Sequence, residues 1–177
     1  MTRQSLVDSL TQYTTTYQEE HEFISRFLTL LQSERCYFRD HLPGHITASG
    51  WIVSHDLKKV LLVHHAKLNK WLQPGGHADG DENTLAVAQK EVLEETGLHV
   101  QGEPTFFDID IHGIPARGNF PEHDHYDVRY LFRASEDAPL TINHESHELK
   151  WVPLDELERY NASSSVVRMK QKLLRRN

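Results

Sequence analysis

The stretch 73–98, QPGGHADGDENTLAVAQKEVLEETGL, changes character along its length. A glycine pair and an acidic loop come first, and a segment of helical character follows. That segment carries three glutamates, Glu91, Glu94 and Glu95, within about one turn. Like charges at these spacings repel one another on a helix. The stretch is therefore either a solvated helix face or a site that binds a cation.

Residues at both ends of this segment predict where the helix starts and where it stops. Asp81 or Asn83 can cap its start, and Gly97 supplies the left-handed residue that ends many helices. At about 100° per residue, the three glutamates fall within an arc of about 100°, and apolar residues occupy the other side. Lys90 precedes Glu94 by one turn and can hold its carboxylate in place. Clustered carboxylates are hard oxygen donors that suit Mg²⁺ or Mn²⁺.

The spacing around the glutamates favours the cation site. From Gly76 the sequence reads G-x5-E-x7-K-E-V-x-E-E-x-G-L. This pattern resembles the Nudix box, G-x5-E-x7-R-E-U-x-E-E-x-G-U, in which U is a bulky aliphatic residue. Every defined position of the 23-residue motif matches except the arginine, which is Lys90 here. A match of this length in a strand–loop–helix context is specific.

The resemblance implies a hydrolase that cleaves a phosphoanhydride bond in a nucleoside diphosphate linked to another group. Enzymes of this family use one or more divalent metals, here expected to be Mg²⁺ or Mn²⁺. Gly76 would give a backbone carbonyl to the metal, and Glu91 and Glu95 would be direct ligands. Glu94 would bind directly or through water. Glu82 would support the loop or reach the metal through water.

The resemblance leaves the proton-transfer residues open. The family's arginine braces a box glutamate, and Lys90 can do so as a point charge but not as a planar fork. The general base is a box glutamate in some members, here Glu91 or Glu94, and a glutamate on a later loop in others. The candidates on that later loop are Glu145 and Glu148, in NHESHELKWVPLDEL. Glu148 is either this base or a solvated residue.

Substrate-binding candidates lie mainly in the stretch 108–134, DIDIHGIPARGNFPEHDHYDVRYLFRA. Arg117 is in a Gly/Pro loop and is the preferred phosphate contact, because loops carry many binding residues. Arg129 is a second candidate, with a surface ion pair as its alternative role. Tyr126 and Trp71 can stack a base, although aromatic residues in strands also form cores.

The 13 histidines are numerous for a chain of 177 residues. His123 and His125 alternate and would share one strand face, with His112 nearby. A metal or phosphate role and simple exposure are both open for these three. The histidines have no cysteine cluster beside them, so the sequence gives little support for a structural zinc site.

The remainder of the chain predicts an α/β fold. Two amphipathic helices are indicated within 3–35, and a connector at 41–45 leads into the main domain. Strand patterns and a terminal helix follow, in ITASGWIVS, KKVLLVHHA, TFFDIDIHGI, YDVRYLFRA, ELKWVP and about 163–176. We expect a Nudix-type α/β/α sandwich with a mixed sheet at 43–177 and an N-terminal helical extension at 1–42. The extension would cap the sheet or pair two subunits, so a homodimer is possible.

The net charge, the apolar runs and the cysteine content limit the kinds of partner and compartment that we expect. The formal charge of −7 argues against binding a nucleic-acid polymer, which requires a basic surface. The chain has no apolar run that could span a membrane and no apolar core of a signal peptide near its start. Its one cysteine, Cys36, excludes an internal disulfide and fits a reducing compartment. A cytoplasmic protein acting on a small diphosphate is expected.

Two alternatives share the predicted fold. The first is a Nudix-like nucleotide-binding regulatory module without turnover. Such modules commonly lose box glutamates, whereas all four are present here. The second is isopentenyl-diphosphate isomerase, which looks to need a catalytic cysteine near its pocket. Cys36 lies in the N-terminal extension, outside the predicted domain.

Overall fold

The computed structural model describes residues 2–101 and 106–176. The elements within these residues are α1 (Arg3–Gln12), α2 (Gln18–Leu30), β1 (Gly44–Ser54), β2 (Lys59–His65), β3 (Lys70–Leu72), β4 (Gly75–His77), α3 (Thr84–Thr96), β5 (Asp108–Ile114), β6 (His123–Ala134), β7 (Ser146–Pro153), α4 (Leu157–Tyr160) and α5 (Ser164–Leu174). The predicted α/β class and the N-terminal helices are confirmed. No helix among these residues is long and apolar enough to span a membrane.

Hydrogen bonds link the strands in the order β3-β2-β1-β6-β5, and β4 pairs with β1 while β7 pairs with β2. The short strands β3 and β4 were not predicted. Strand β4 lies in the glycine-rich segment, which has the composition of a loop. Gly76 faces Ala48 in the β4–β1 pairing, and Gly75 faces Ser49. A Cβ on Gly75 would lie 2.4 Å from the Ser49 Cβ. Gly75 is therefore required for the close approach of the two strands.

The chain divides into two compact units, and the first comprises Met1–Ser49, Gly75–Ala88 and Glu103–Tyr130. Helix α1 buries Leu6 and Leu10 on one face, and α2 buries Phe27. Helix α2 packs against β5 as well as α1. The N-terminal helices therefore share a core with strands of the main fold. The boundary predicted between residues 42 and 43 is not tested by this packing and stays a prediction.

The second unit comprises Gly50–Pro74, Gln89–Gly102 and Leu131–Asn177. Strand β2 pairs with β7 along its length and with β3 near its C-terminal end. The run Val60–Val63 is buried, which indicates that both faces of the sheet are covered along this part of β2. Helix α5 buries its apolar residues along one stripe, namely Val166, Met169 and Leu173.

The ends of α3 are held by local contacts. Asn83 is the capping residue of the two predicted, because its Oδ1 accepts a hydrogen bond from the Ala86 backbone N–H at 3.2 Å. Asp81 instead accepts from the Asn83 N–H at 2.8 Å. Gly97 has φ +76°, the left-handed conformation predicted for it. A Cβ at Gly97 would also lie 2.9 Å from the side chain of Thr141.

Candidate functional site

The three glutamates of α3 differ in exposure. Glu94 is exposed, Glu91 is half-buried, and Glu95 is only 9% exposed. The Lys90 Nζ lies 3.6 Å from the Glu94 Oε1, with 64% and 53% of the two side chains exposed. This ion pair has the spacing predicted from the sequence. Because it is exposed, it positions the two groups more than it stabilises the fold.

Glu82 connects the box loop to the N-terminus of α1. Its carboxylate lies 2.9 Å from the Arg3 guanidinium and accepts from the Arg3 backbone N–H at 3.1 Å. The same guanidinium donates to the carbonyls of Ser33 and Glu34. An anion at a helix N-terminus is also favoured by the helix dipole. Of the two roles predicted for Glu82, loop support is the one with observed contacts.

Histidines from three strands meet in the first unit. His45 is on β1, His77 on β4 and His125 on β6, and one ligand atom from each lies within 4.8 Å of the other two. We call these three residues the histidine cluster. The ring of His123 is 5.0 Å from that of His45 and 5.2 Å from that of His125. His123 is buried, so simple exposure is wrong for this residue.

Burial favours the neutral form of the three imidazoles in the histidine cluster. Desolvation lowers the pKa of His45 to about 4 and also lowers the pKa of His77. Desolvation, with the neighbouring imidazoles, holds the pKa of His125 well below its ordinary value. The sequence pointed to His123 and His125 but missed His45 and His77. His45 lies on β1 and His77 follows the glycine pair, and neither position has a metal-binding spacing that could have revealed it.

Arg129 is buried among aspartates. It donates to Asp127 at 2.8 Å, to Asp110 at 3.0 Å and to Asp108 at 3.2 Å. Burial alone would lower its pKa, but the three carboxylates raise it above the ordinary value. Asp127 also accepts from the Ser49 hydroxyl at 2.8 Å. These contacts favour a role in holding β5 and β6, and the predicted phosphate contact is untested.

The two aromatic candidates have different surroundings. Tyr126 is buried, with its ring 5.2 Å from Phe27 and the Arg26 guanidinium 5.5 Å above it. Trp71 is half-buried and stacks on His64 at 4.8 Å between ring centroids. Tyr126 thus contributes to the contact between α2 and β6. Trp71 is the better placed of the two to stack a base.

Arg117 lies in a tight turn before β6. Its backbone N–H donates to the Phe120 carbonyl at 2.9 Å, and the Phe120 N–H donates back at 3.0 Å. Gly118 within this turn has φ +60°, a conformation that glycine adopts without strain. The Arg117 side chain is exposed, which is compatible with a phosphate contact.

The later-loop glutamates lie on or beside β7. Glu148 is exposed on β7 and faces His64 of β2. Glu145 forms an ion pair with Lys67 at 3.5 Å, and its carbonyl accepts from the Ala66 N–H. The Glu145 carboxylate is therefore in an ion pair, whereas Glu148 is exposed to solvent.

The α/β fold with a glycine-led loop and a glutamate-bearing helix defines the class. A family model, the NUDIX domain, matches residues 43–173. The chain belongs to the NUDIX domain family.

Sequence and structure comparisons agree with this assignment. The chain is 33% identical over 135 residues to a Xenopus laevis protein named nucleoside diphosphate-linked moiety X motif 6, covering 71% of this chain and 59% of that protein. It is similar to a NUDIX-family hydrolase from Clostridium perfringens, with 25% identity, a TM-score of 0.56, and 75% and 98% of the two chains covered. The C. elegans Ap4A hydrolase in a binary complex shares the fold, with a TM-score of 0.59, 18% identity, and 72% and 93% covered.

Proposed function

We propose that this protein is a divalent-metal-dependent hydrolase. It would cleave a phosphoanhydride bond in a nucleoside diphosphate linked to another moiety. The observation that carries the proposal is the box from Gly76 to Leu98, with carboxylates on adjacent turns of α3. The name of the Xenopus laevis relative describes this substrate class. This chain spans 59% of that relative, so the activity is proposed here for the chain itself.

The residues present fit a hard divalent cation. Glu91, Glu94 and Glu95 offer carboxylate oxygens, which Mg²⁺ and Mn²⁺ prefer. By family resemblance these three and the Gly76 carbonyl would hold it. When bound, the cation would neutralise diphosphate charge and lower the pKa of an attacking water.

The chain's own residues would orient the reaction. Lys90 restrains Glu94 through the 3.6 Å ion pair. A glutamate would accept the proton of the attacking water, and the candidates are Glu91, Glu94 and the exposed Glu148. Arg117 would contact a phosphate bidentately, because its guanidinium matches phosphate geometry. Trp71 would stack against a base, as aromatic side chains commonly do.

The proposal also includes the binding partner and the cellular location. A small-molecule diphosphate is the proposed partner, and the net charge of −7 disfavours a nucleic-acid polymer. A cytoplasmic location and a homodimer remain predictions. The isomerase alternative is less favoured, since Cys36 is buried and desolvation raises the pKa of its thiol to about 11.

A substrate panel tests the proposal. It would contain a dinucleoside polyphosphate, a nucleotide sugar, ADP-ribose, a damaged nucleoside triphosphate and a non-nucleotide diphosphate. We expect cleavage of at least one with Mg²⁺ or Mn²⁺, products identified by mass, and loss of turnover in EDTA. Binding of a nucleotide with no turnover under any metal would support the regulatory module instead.

The motif mismatch gives a separate prediction. Replacing Lys90 with arginine should leave kcat/KM unchanged or raise it several-fold, because a planar guanidinium can hold Glu94 with two hydrogen bonds. The measurement is kcat/KM for the best panel substrate, with the exposed Lys58→Arg as the matched control. A tenfold loss confined to the Lys90 variant would show that the lysine has a role of its own.

A further inference from the structure

We propose that the histidine cluster binds a first-row transition-metal ion of the Zn²⁺ type. The ligands are His45, His77 and His125. This inference goes beyond the proposed hydrolase, because the box offers carboxylate oxygens and the cluster offers imidazole nitrogens. It also stands independently of hydrolysis, since metal binding can be measured directly.

The ligands are held by the sheet. Strand β4 is in register with β1, so that His77 faces Thr47, two residues beyond His45. The start of β6 is tied to the segment before β1 by a 2.8 Å bond from the Asp124 N–H to the Pro43 carbonyl. Ring centroids are 5.2 Å apart for His45–His77, and 4.9 Å for His45–His125 and His77–His125. Sites on paired strands are more precisely positioned than sites on loops.

Hydrogen bonding leaves nitrogen lone pairs for a metal. The Nδ1 of His45 lies 3.3 Å from the His41 carbonyl, to which it donates, so its Nε2 is the unprotonated nitrogen. This Nε2 and that of His125 are buried, and neither has a hydrogen-bond partner among the described residues. His45 is itself fully buried. Buried polar atoms are nearly always satisfied, and a metal ion would supply the partner here.

Acidic residues lie in the same compact unit as the cluster. Asp110 lies 3.2 Å from the His112 Nδ1, and the His112 ring is 5.5 Å from that of His125. Three aspartates share the single guanidinium of Arg129 in the same unit. Asp110 is thus linked to the cluster through the His112 ring.

The donor set selects the metal. Imidazole nitrogens suit Zn²⁺, Co²⁺, Ni²⁺ and Cu²⁺, whereas Mg²⁺ and Ca²⁺ prefer oxygen. Zinc binds imidazole at about 2.0–2.1 Å, so side-chain rotations must bring the ligand atoms, which lie within 4.8 Å of one another, closer together. Three protein ligands leave a fourth position. Water or an oxyanion such as a phosphate oxygen would take that position, as in open zinc sites.

Direct zinc binding tests the proposal. The full chain, freed of metal and then given Zn²⁺, should retain one ion per chain after dialysis, read by elemental analysis. Calorimetry should show His77→Ala and His125→Ala binding at least about 100-fold more weakly, since loss of an outer partner alone costs 10–100-fold. The exposed His144→Ala should bind like the unmodified chain. Glu94→Gln should also bind normally, which separates this site from the box.

A spectroscopic measurement on the unmodified chain covers the case in which a variant misfolds. Co²⁺ should give the strong visible absorption of a four- or five-coordinate nitrogen site, and Zn²⁺ should abolish it by displacement. A weak visible absorption, typical of Co²⁺ bound octahedrally by oxygen ligands, would overturn the proposal. Folded His77 and His125 variants with unchanged zinc affinity would overturn it too. Zinc binding lost in Glu94→Gln would place the ion at the box and not at the cluster.

Discussion

Replacing Glu94 or Glu95 with glutamine should reduce turnover of the panel substrate by about 100-fold or more, the scale seen when one electrostatic stabiliser of a transition state is removed. Glutamine keeps the shape of the side chain but removes the anionic oxygen that a divalent cation requires. The measurement is kcat and kcat/KM at saturating Mg²⁺, with circular dichroism to confirm folding. A higher Mg²⁺ requirement in the variants would point to the cation as the lost partner.

Glu158→Gln is the matched control for this pair. Glu158 is a surface glutamate that forms an ion pair with Lys170 at 2.9 Å, outside the box. The same neutralisation there should change turnover less than twofold. Unchanged activity in both the Glu94 and the Glu95 variant would contradict the proposed metal site.

Replacing Arg129 with alanine should lower the free energy of unfolding by about 3–5 kcal/mol, the usual cost of breaking a buried ion pair from one side. Arg129 is 3% exposed, and its removal would leave Asp108, Asp110 and Asp127 buried without their shared cation. Urea denaturation at neutral pH would measure the loss. A decrease in the midpoint at an unchanged slope would show that stability itself has changed.

Arg133→Ala is the control for Arg129. It removes the same side chain from the same strand, but at an exposed position. Such surface substitutions usually change stability by no more than about 0.5 kcal/mol. A loss below about 1 kcal/mol for Arg129→Ala would mean that the aspartates relax or become solvated without it. In that case the guanidinium would again be a candidate for a phosphate contact.

The structure of the box region was largely predictable because its contacts join residues that are close together in the sequence. The start of α3 follows from one side chain, Asn83, bonding to an N–H three residues on. Its end follows from Gly97, whose backbone adopts the left-handed form. The Lys90–Glu94 pair follows from one helical turn. Helical periodicity relates residues three and four apart, so a single sequence contains the information.

Other contacts depended on strand pairing, which the sequence left open. Arg129 lies in a segment with the alternating pattern of a strand. Its aspartate partners on β5 are brought next to it only by the register in which β5 and β6 pair. Strand β4 was missed because two glycines have no strand propensity of their own. They pair with β1 because the absent side chains permit close approach at Gly75.

The proposed chemistry follows from the amino-acid sequence alone, because the spacing from Gly76 to Leu98 is a property of one continuous segment. Only the tertiary structure brought His45, His77 and His125 together. Their positions are separated by tens of residues, and their proximity depends on strand register. Shifting a strand by one residue turns its side chains to the opposite face, so no short-range pattern could have specified the histidine cluster.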